Sequence, residues 1–351
     1  PKASPPRCGK PSSRASPSSS PGPEAAPGLD GRPFRAKTWG VDAFKRNLEK
    51  LAELAIRVGL NLEKGQEVIA TAPIEAVDFV RLLAEKAYRE GASLFTVIYG
   101  DQELARKRLA LAPEEGLDKA PAWLYEGMAR AFREGAARLA VSGSDPKALE
   151  GLPPEKVGRA QKANARAYKP ALEAITEFVT NWTIVPFAHP GWARAVFPGL
   201  PEEEAVRRLW EAIFQATRAD QEAPIAAWEA HNRALHEKVA YLNARRFHAL
   251  HFKGPGTDLV VGLAEGHLWQ GGAPATKGGR LCHPNLPTEE GFTAPHRERV
   301  EERDDLVSRD DQQAVRLGLG RGELGDELRG RHPHRAGDAL LVVHPGTDEL
   351  S

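Results

Sequence analysis

From Val41 onward, apolar residues return at helical spacing. Phe44, Leu48, Leu51, Leu54, Ala55 and Val58 sit three and four positions apart, with Lys45, Arg46, Glu49, Lys50 and Glu53 between them. That period predicts an amphipathic helix opened by Asp42 and closed at Gly59. The pattern then changes. Glu67–Ala72 and Ser93–Tyr99 are short β-branched runs that read as strands. Between them Ile74–Glu90 carries Val77, Val80, Leu83, Ala84 and Ala87 on one face and stops at Gly91. A strand, a helix and a strand in about thirty residues predict a parallel, right-handed crossover unit. The alternation continues with a helix at Trp123–Glu134, a strand at Ala137–Val141, and separate helical stretches at Lys156–Tyr168 and Pro170–Glu177. A strand at Asn181–Pro186 follows, then helices at Pro201–Ala219 and Pro224–Asn243. Pro201 followed by Glu202, Glu203 and Glu204 is a helix start, with proline in the first turn and carboxylates at the positive end of the dipole.

Helical periodicity ends near Phe247. His248–Lys253 and Asp258–Leu263 flank the turn Gly254-Pro255-Gly256-Thr257, which predicts a β-hairpin. Strand-like pieces at His267–Gln270 and Gly279–Cys282 lead into Asn285–His296, a segment too rich in proline for a helix. Beyond Glu301 charges lack facing apolar residues, and Gly318, Gly320, Gly322, Gly325 and Gly330 interrupt any helix. Ala339–Val343 alone reads as a strand there. The fold class expected is α/β: an N-terminal α/β domain with parallel crossover units over 41–243, then the start of a β-rich C-terminal domain over 244–301 that is incomplete. Residues 302–351 form a tail, disordered or erroneous, that does not supply its second half. Residues 1–40, rich in proline and serine, have too little to bury to offset backbone ordering and are expected to be disordered.

Composition narrows the function classes. The 48 basic and 48 acidic residues cancel, so no long-range field recruits nucleic acid or an acidic membrane. No apolar run approaches a membrane span, and the N-terminus lacks the apolar centre of a secretory signal. Cys8 and Cys282 lie in very different surroundings, so no disulfide framework is expected and the cytoplasm is the default location. One methionine and two cysteines among abundant arginine and glutamate lean toward heat tolerance.

Three constellations compete for the chemistry. Glu289 and Glu290 with His296, after the glycine-rich approach Gly271-Gly272 and Gly278-Gly279, place carboxylates in a stiff extended segment suited to a metal ion or a substrate amine; a solvated turn is the alternative. His248 and His251, three residues apart on a strand, face opposite ways and cannot share one ion. His332, His334, His344 and Asp348 offer a His-X-His pair in the glycine-broken tail. Two other chemistries are disfavoured. The turn Thr71-Ala72-Pro73-Ile74-Glu75 has no glycine to cradle a dinucleotide, and Ser142-Gly143-Ser144 is not a nucleophile elbow.

From Val41 to Glu301 the chain resembles the thermophilic dinuclear metallo-aminopeptidases. The resemblance rests on Thr180-Asn181-Trp182-Thr183-Ile184-Val185-Pro186, the Phe252–Leu259 hairpin, and Asn285–His296 with its Pro287-Thr288-Glu289-Glu290 motif. It implies a C-terminal metal-binding domain and a homodimer. It also implies two divalent ions (zinc, cobalt or magnesium) that activate a water for attack on peptides with a free N-terminus. Glu290 is then the first metal ligand and Glu289 its neighbour. The family's other ligands and its catalytic tyrosine have no counterpart in 302–351, so catalytic residues stay unassigned. The other reading is an inactive truncated fragment, at most a dimerisation or interaction module. His283 and Gly291 depart from the asparagine and valine expected there, and Val41 stands at the expected initiator methionine, which marks 1–40 as foreign to the enzyme.

Overall fold

The computed structural model describes residues 40–254, 256–288, 290–294, 317–318 and 340–344, the last three stretches by their backbone path. Helix α1 (Val41–Leu54) starts directly after Gly40, so Asp42 lies in its first turn instead of opening it. The helix does not stop at Gly59. It widens into a π-helical turn, Ala55–Leu60, closed by Asn61 in the left-handed conformation at φ 49°. The lack of a side chain at Gly59 lets this turn press against the sheet, since a Cβ there would lie 2.8 Å from Thr183 Oγ1 and 3.1 Å from Leu286 Cδ1.

The crossover units form as the hydrophobic pattern predicts. Strands β1 (Glu67–Pro73), β2 (Leu94–Gly100), β3 (Ala137–Ser142) and β4 (Trp182–Pro186) make one parallel sheet in the order β2-β1-β3-β4. Helix α2 (Val77–Arg89) follows a 3₁₀ turn at Ile74–Ala76. Three helices escape the sequence pattern: the short Pro190–Val196, and α3 (Gln102–Leu111) and α4 (Glu114–Leu117), each of which buries one leucine and has no apolar stripe to read. Asp101 nonetheless marks the start of α3, its carboxylate accepting from the Glu103 and Leu104 amides at 2.8 and 3.1 Å.

Helix α5 (Ala122–Arg133) precedes β3, and α6 (Pro154–Thr176) follows it as one helix where two are expected. Pro170 removes a backbone hydrogen bond, a cost of about 3 kcal/mol in a helix interior. Ala171, Ala174 and Ile175 just beyond it bury against Met128, Ala129 and Phe132 of α5, so tertiary packing carries the helix through the proline. Short α7 (Pro190–Val196), α8 (Glu202–Ala216) and α9 (Pro224–Arg245) complete this part.

Side chains alternate across the sheet, giving two cores. Val68, Ala70, Leu139 and Val185 face Leu51, Leu54, Leu83 and Phe214, while Ile69, Ile98 and Trp182 pack with the α5–α6 pair. The β-rich part begins with the expected hairpin, β5 (Ala249–Gly254) and β6 (Thr257–Gly262). Strand β7 (Leu268–Gly271) pairs antiparallel with β8 (Glu290–Ala294), which pairs in turn with β9 (Leu317–Gly318). Strand β10 (Leu340–His344), at the run where the tail reads as a strand, lies antiparallel to β5. Gly279–Cys282 is not a strand; a single bridge joins Ala275 and Leu281. Leu250 and Trp269 pack with Val239 and Leu242 of α9 as a separate small core. The disorder expected for 1–39 lies outside the described residues, as does most of 302–351. Among the described residues no helix is long and apolar enough to cross a membrane.

Candidate functional site

The approach to Glu290 is built against the N-terminal sheet. The His283 amide donates to Gly59 O at 2.8 Å, the Ile184 amide to Pro284 O at 2.8 Å, and the Leu286 amide back to Ile184 O at 3.0 Å. Asn285 thereby forms a parallel bridge to Ile184, and the segment prolongs the sheet beyond β4. Leu286 enters the main core at 2% exposure, and the Leu286–Pro287 peptide is cis. The Thr288 hydroxyl donates to Asn285 O. Two residues later β8 begins at Glu290, with Gly291 opposite Gly271 of β7 and Glu290 opposite Gly318 of β9.

Helix α9 supports this approach from the side. Trp228 is fully buried and donates from Nε1 to Thr217 O at 2.8 Å. Its ring meets His231 and His283 edge-on, with centroids 5.6 and 5.1 Å apart, and the Arg218 guanidinium lies 5.0 Å from its centre as a cation–π partner. His231 Nε2 is 2.7 Å from Thr288 O. A carbonyl only accepts, so that nitrogen carries a proton. The next residue, Asn232, accepts the Ala273 amide on its Oδ1 at 2.7 Å. Gly272, at φ 77°, makes this approach possible, because a Cβ would lie 2.6 Å from Asn232 Oδ1 and 2.8 Å from His236 Nε2. Burial pushes the His283 imidazole down to about 4, and the nearby His231, His236 and Arg218 add to the effect.

The structure brings the sequence candidates together only in part. Glu290 stands at the first position of β8, while Glu289, His296, His332, His334 and Asp348 lie outside the described residues. His344 ends β10, a backbone-only stretch. His248 is exposed just before β5, and His251 turns to Asp258 across the hairpin at 2.5 Å. The Asp258 carboxyl is held below its usual range chiefly by that hydrogen bond. Cys282 is a buried free thiol whose pKa burial raises, and Cys8 lies outside the described residues. The sequence reading missed Arg218, Trp228 and His231. Their one local signal is the three-residue spacing that puts Trp228 and His231 on one face of α9.

A catalytic metal centre takes about three protein ligands for each ion. Among the described residues no group of three His, Cys, Asp or Glu side chains is placed to hold one. That does not fit a two-ion centre, which needs donors beyond the described residues.

Comparison with known proteins places the chain in a family. Residues 44–302 match the family model described as thermophilic metalloprotease (M29). Aminopeptidase T of Thermus thermophilus is 98% identical over 261 residues, covering 74% of this chain and 64% of that protein. Aminopeptidase T of Thermus aquaticus is 83% identical over the same length and shares. Aminopeptidase AmpS of Bacillus subtilis (strain 168) is 40% identical, again over 74% of this chain and 64% of the relative. A solved structure, wild-type AmpT from Thermus thermophilus, superposes with a TM-score of 0.69 at 96% identity, covering 73% of this chain and 63% of that one. The chain thus spans about 64% of the length of these curated relatives. With a family match over 44–302 that takes in both the parallel sheet and the Pro287-Thr288-Glu289-Glu290 motif, the chain belongs to the thermophilic metalloprotease family M29.

Proposed function

We propose that the chain acts as a metal-dependent aminopeptidase that releases N-terminal amino acids from peptides with a free N-terminus. The observation that carries this reading is the 98% identity over 261 residues with a protein named aminopeptidase T. Two divalent ions, zinc, cobalt or magnesium, serve the hydrolysis, with Glu290 as one ligand and Glu289 beside it. Residues 244–301 begin the domain that bears this site, and the working form is a cytoplasmic homodimer. The contribution of the described residues is to hold the Glu290 strand in place: the sheet extension at Asn285, the Thr288 turn and the β7 pairing fix its backbone.

The test uses the full chain with leucyl-p-nitroanilide and added Co²⁺ or Zn²⁺. Turnover is expected, and Glu290→Gln is expected to lower kcat/KM by about a thousandfold, since it removes a charged ligand from an electrostatically driven site. No turnover together with no tight metal binding by the unsubstituted chain would overturn the reading. It would favour a non-catalytic fragment acting as a dimerisation or interaction module, the alternative that the partial coverage of the relatives keeps in play.

A further inference from the structure

We propose that His231 is a positioning residue for Glu290, acting through the carbonyl of Thr288. The inference rests on the assignment of Glu290 made above, and the geometry behind it is independent of any ion. Thr288 is 7% exposed and is fixed at two atoms. Its hydroxyl is spent within the turn on Asn285 O, and its carbonyl receives the Nε2–H of His231 at 2.7 Å. These two bonds fix the chain where it leaves the Pro287 turn, two residues before β8.

His231 is itself fixed. Its ring lies against the edge of Trp228, which is pinned by its own hydrogen bond to Thr217 O and by Arg218 across its face. A hydrogen bond from an imidazole held this way costs little side-chain entropy to form. The adjacent residue of the same helix, Asn232, holds the other flank: it accepts the Ala273 amide just after β7, the strand on which Gly271 pairs with Gly291. Two neighbouring side chains of α9 therefore hold the two chain segments that meet at the start of β8. One grips the segment before Glu290, the other the segment that pairs beside it. Asn243 repeats the device at the far end of β7, donating to Trp269 O at 3.0 Å and accepting its amide at 2.7 Å. Helix α9 thus works as a rigid rule along which the Glu290 strand is registered, with His231 at the end nearest the start of β8.

The experiment compares the full chain with His231→Leu and His231→Gln by amide hydrogen exchange over peptides spanning 284–294, in metal-free buffer. Leucine removes the donor and keeps the bulk. Glutamine places an N–H donor where the imidazole Nε2 stood. Exchange in that peptide is expected to rise about tenfold or more in His231→Leu and to return near the original rate in His231→Gln, with the α5–α6 peptides unchanged in both. In the hydrolysis assay His231→Leu is expected to lower kcat by about ten- to a hundredfold with KM little changed, as for outer partners of ligating groups, and His231→Gln to restore most of it. Unchanged exchange in His231→Leu, or an equal rise in both variants, would overturn the proposal, the latter by showing a packing role alone. If the unsubstituted chain shows no hydrolysis, the aminopeptidase reading fails while the exchange arm still decides the role of His231.

Discussion

Acidification from pH 7 to pH 4 is expected to remove about 3 kcal/mol of stability through His283 alone. The imidazole is 5% exposed, and its surroundings lower its folded pKa to about 4 from the ordinary 6.5. An unfolded chain therefore binds a proton at this site through the whole interval from about 6.5 down to 4, and the folded chain does not. Stability is complete above the unfolded value, falls as pH drops through the window, and levels off below 4. A difference of roughly two and a half units at about 1.4 kcal/mol each is about 3.5 kcal/mol in full, of which about 3 kcal/mol is lost by pH 4, where the folded site is half protonated. The charged groups facing the ring, Arg218, His231 and His236, are all potential cations, so among the described residues no carboxylate relieves the cost. Urea melts at pH 7, 5.5 and 4 measure it, and His283→Asn is expected to flatten that limb of the profile. A limb of the same steepness in His283→Asn would refute the assignment.

Two glutamates on α8 act in other windows. Glu204, held at about 2 by hydrogen bonds from Arg207 and Arg208, contributes stability that is lost only as pH falls below 4.5. Glu211 is buried and its pKa is raised, so it favours the folded state as pH falls toward 4.5. That opposing slope is why the comparison must be made between the chain and its His283 variant and not read from one profile.

Gly143→Ala is expected to destabilise the fold by about 3 kcal/mol or more, a large share of the roughly 5–15 kcal/mol that holds a typical folded chain. A Cβ on Gly143 would stand 2.2 Å from the carbonyl oxygen of Phe187 and 3.1 Å from its carbonyl carbon. Both are backbone atoms, so no rotamer change relieves the clash. The strand ends would have to part where Ser142 accepts the Phe187 amide at 2.7 Å, one step past the last β3–β4 pair. Phe187 cannot follow freely, because its ring packs on Trp210 and Phe79 at 5.4 and 6.5 Å. Gly158 is the control. It lies inside α6 with nothing within 4 Å of its Cβ position, and Gly158→Ala is expected to stabilise by about 0.5–1 kcal/mol through helix propensity. Thermal melts of both variants check the pair; a Gly143→Ala chain that melts with the original would show that the strand ends move more easily than their packing implies.

The parallel sheet is legible in the sequence because its strands are short apolar runs punctuated by glycine or proline, rich in β-branched residues at Glu67–Ala72 and Ser93–Tyr99. Pro170 misleads because its local penalty is visible while the α5 surface that offsets it is not. Helix α3 is hidden for the opposite reason: it buries too little to leave a stripe. At the site, the Pro287-Thr288-Glu289-Glu290 run announces itself through residue types. Its supports do not. His231 reaches Thr288 from 57 positions away, and Arg218 and Trp228 lie among residues that periodicity assigns to ordinary helix. Spacing reports faces of a helix, and it carries no information on which distant backbone carbonyl a face will meet.

The bridge from Asn285 to Ile184 also sets a timetable for synthesis. Strand β4 leaves the ribosome on the order of a hundred residues before the segment that covers its outer edge. At about 5–20 residues per second the edge stays open for roughly 5–20 seconds, with the Ile184 amide and carbonyl unmatched. An open strand edge of that duration is a pairing surface for other nascent chains. The N-terminal sheet therefore reaches its final form only when the Glu290 segment arrives, and slow translation through 187–285 would lengthen the interval in which aggregation competes with folding.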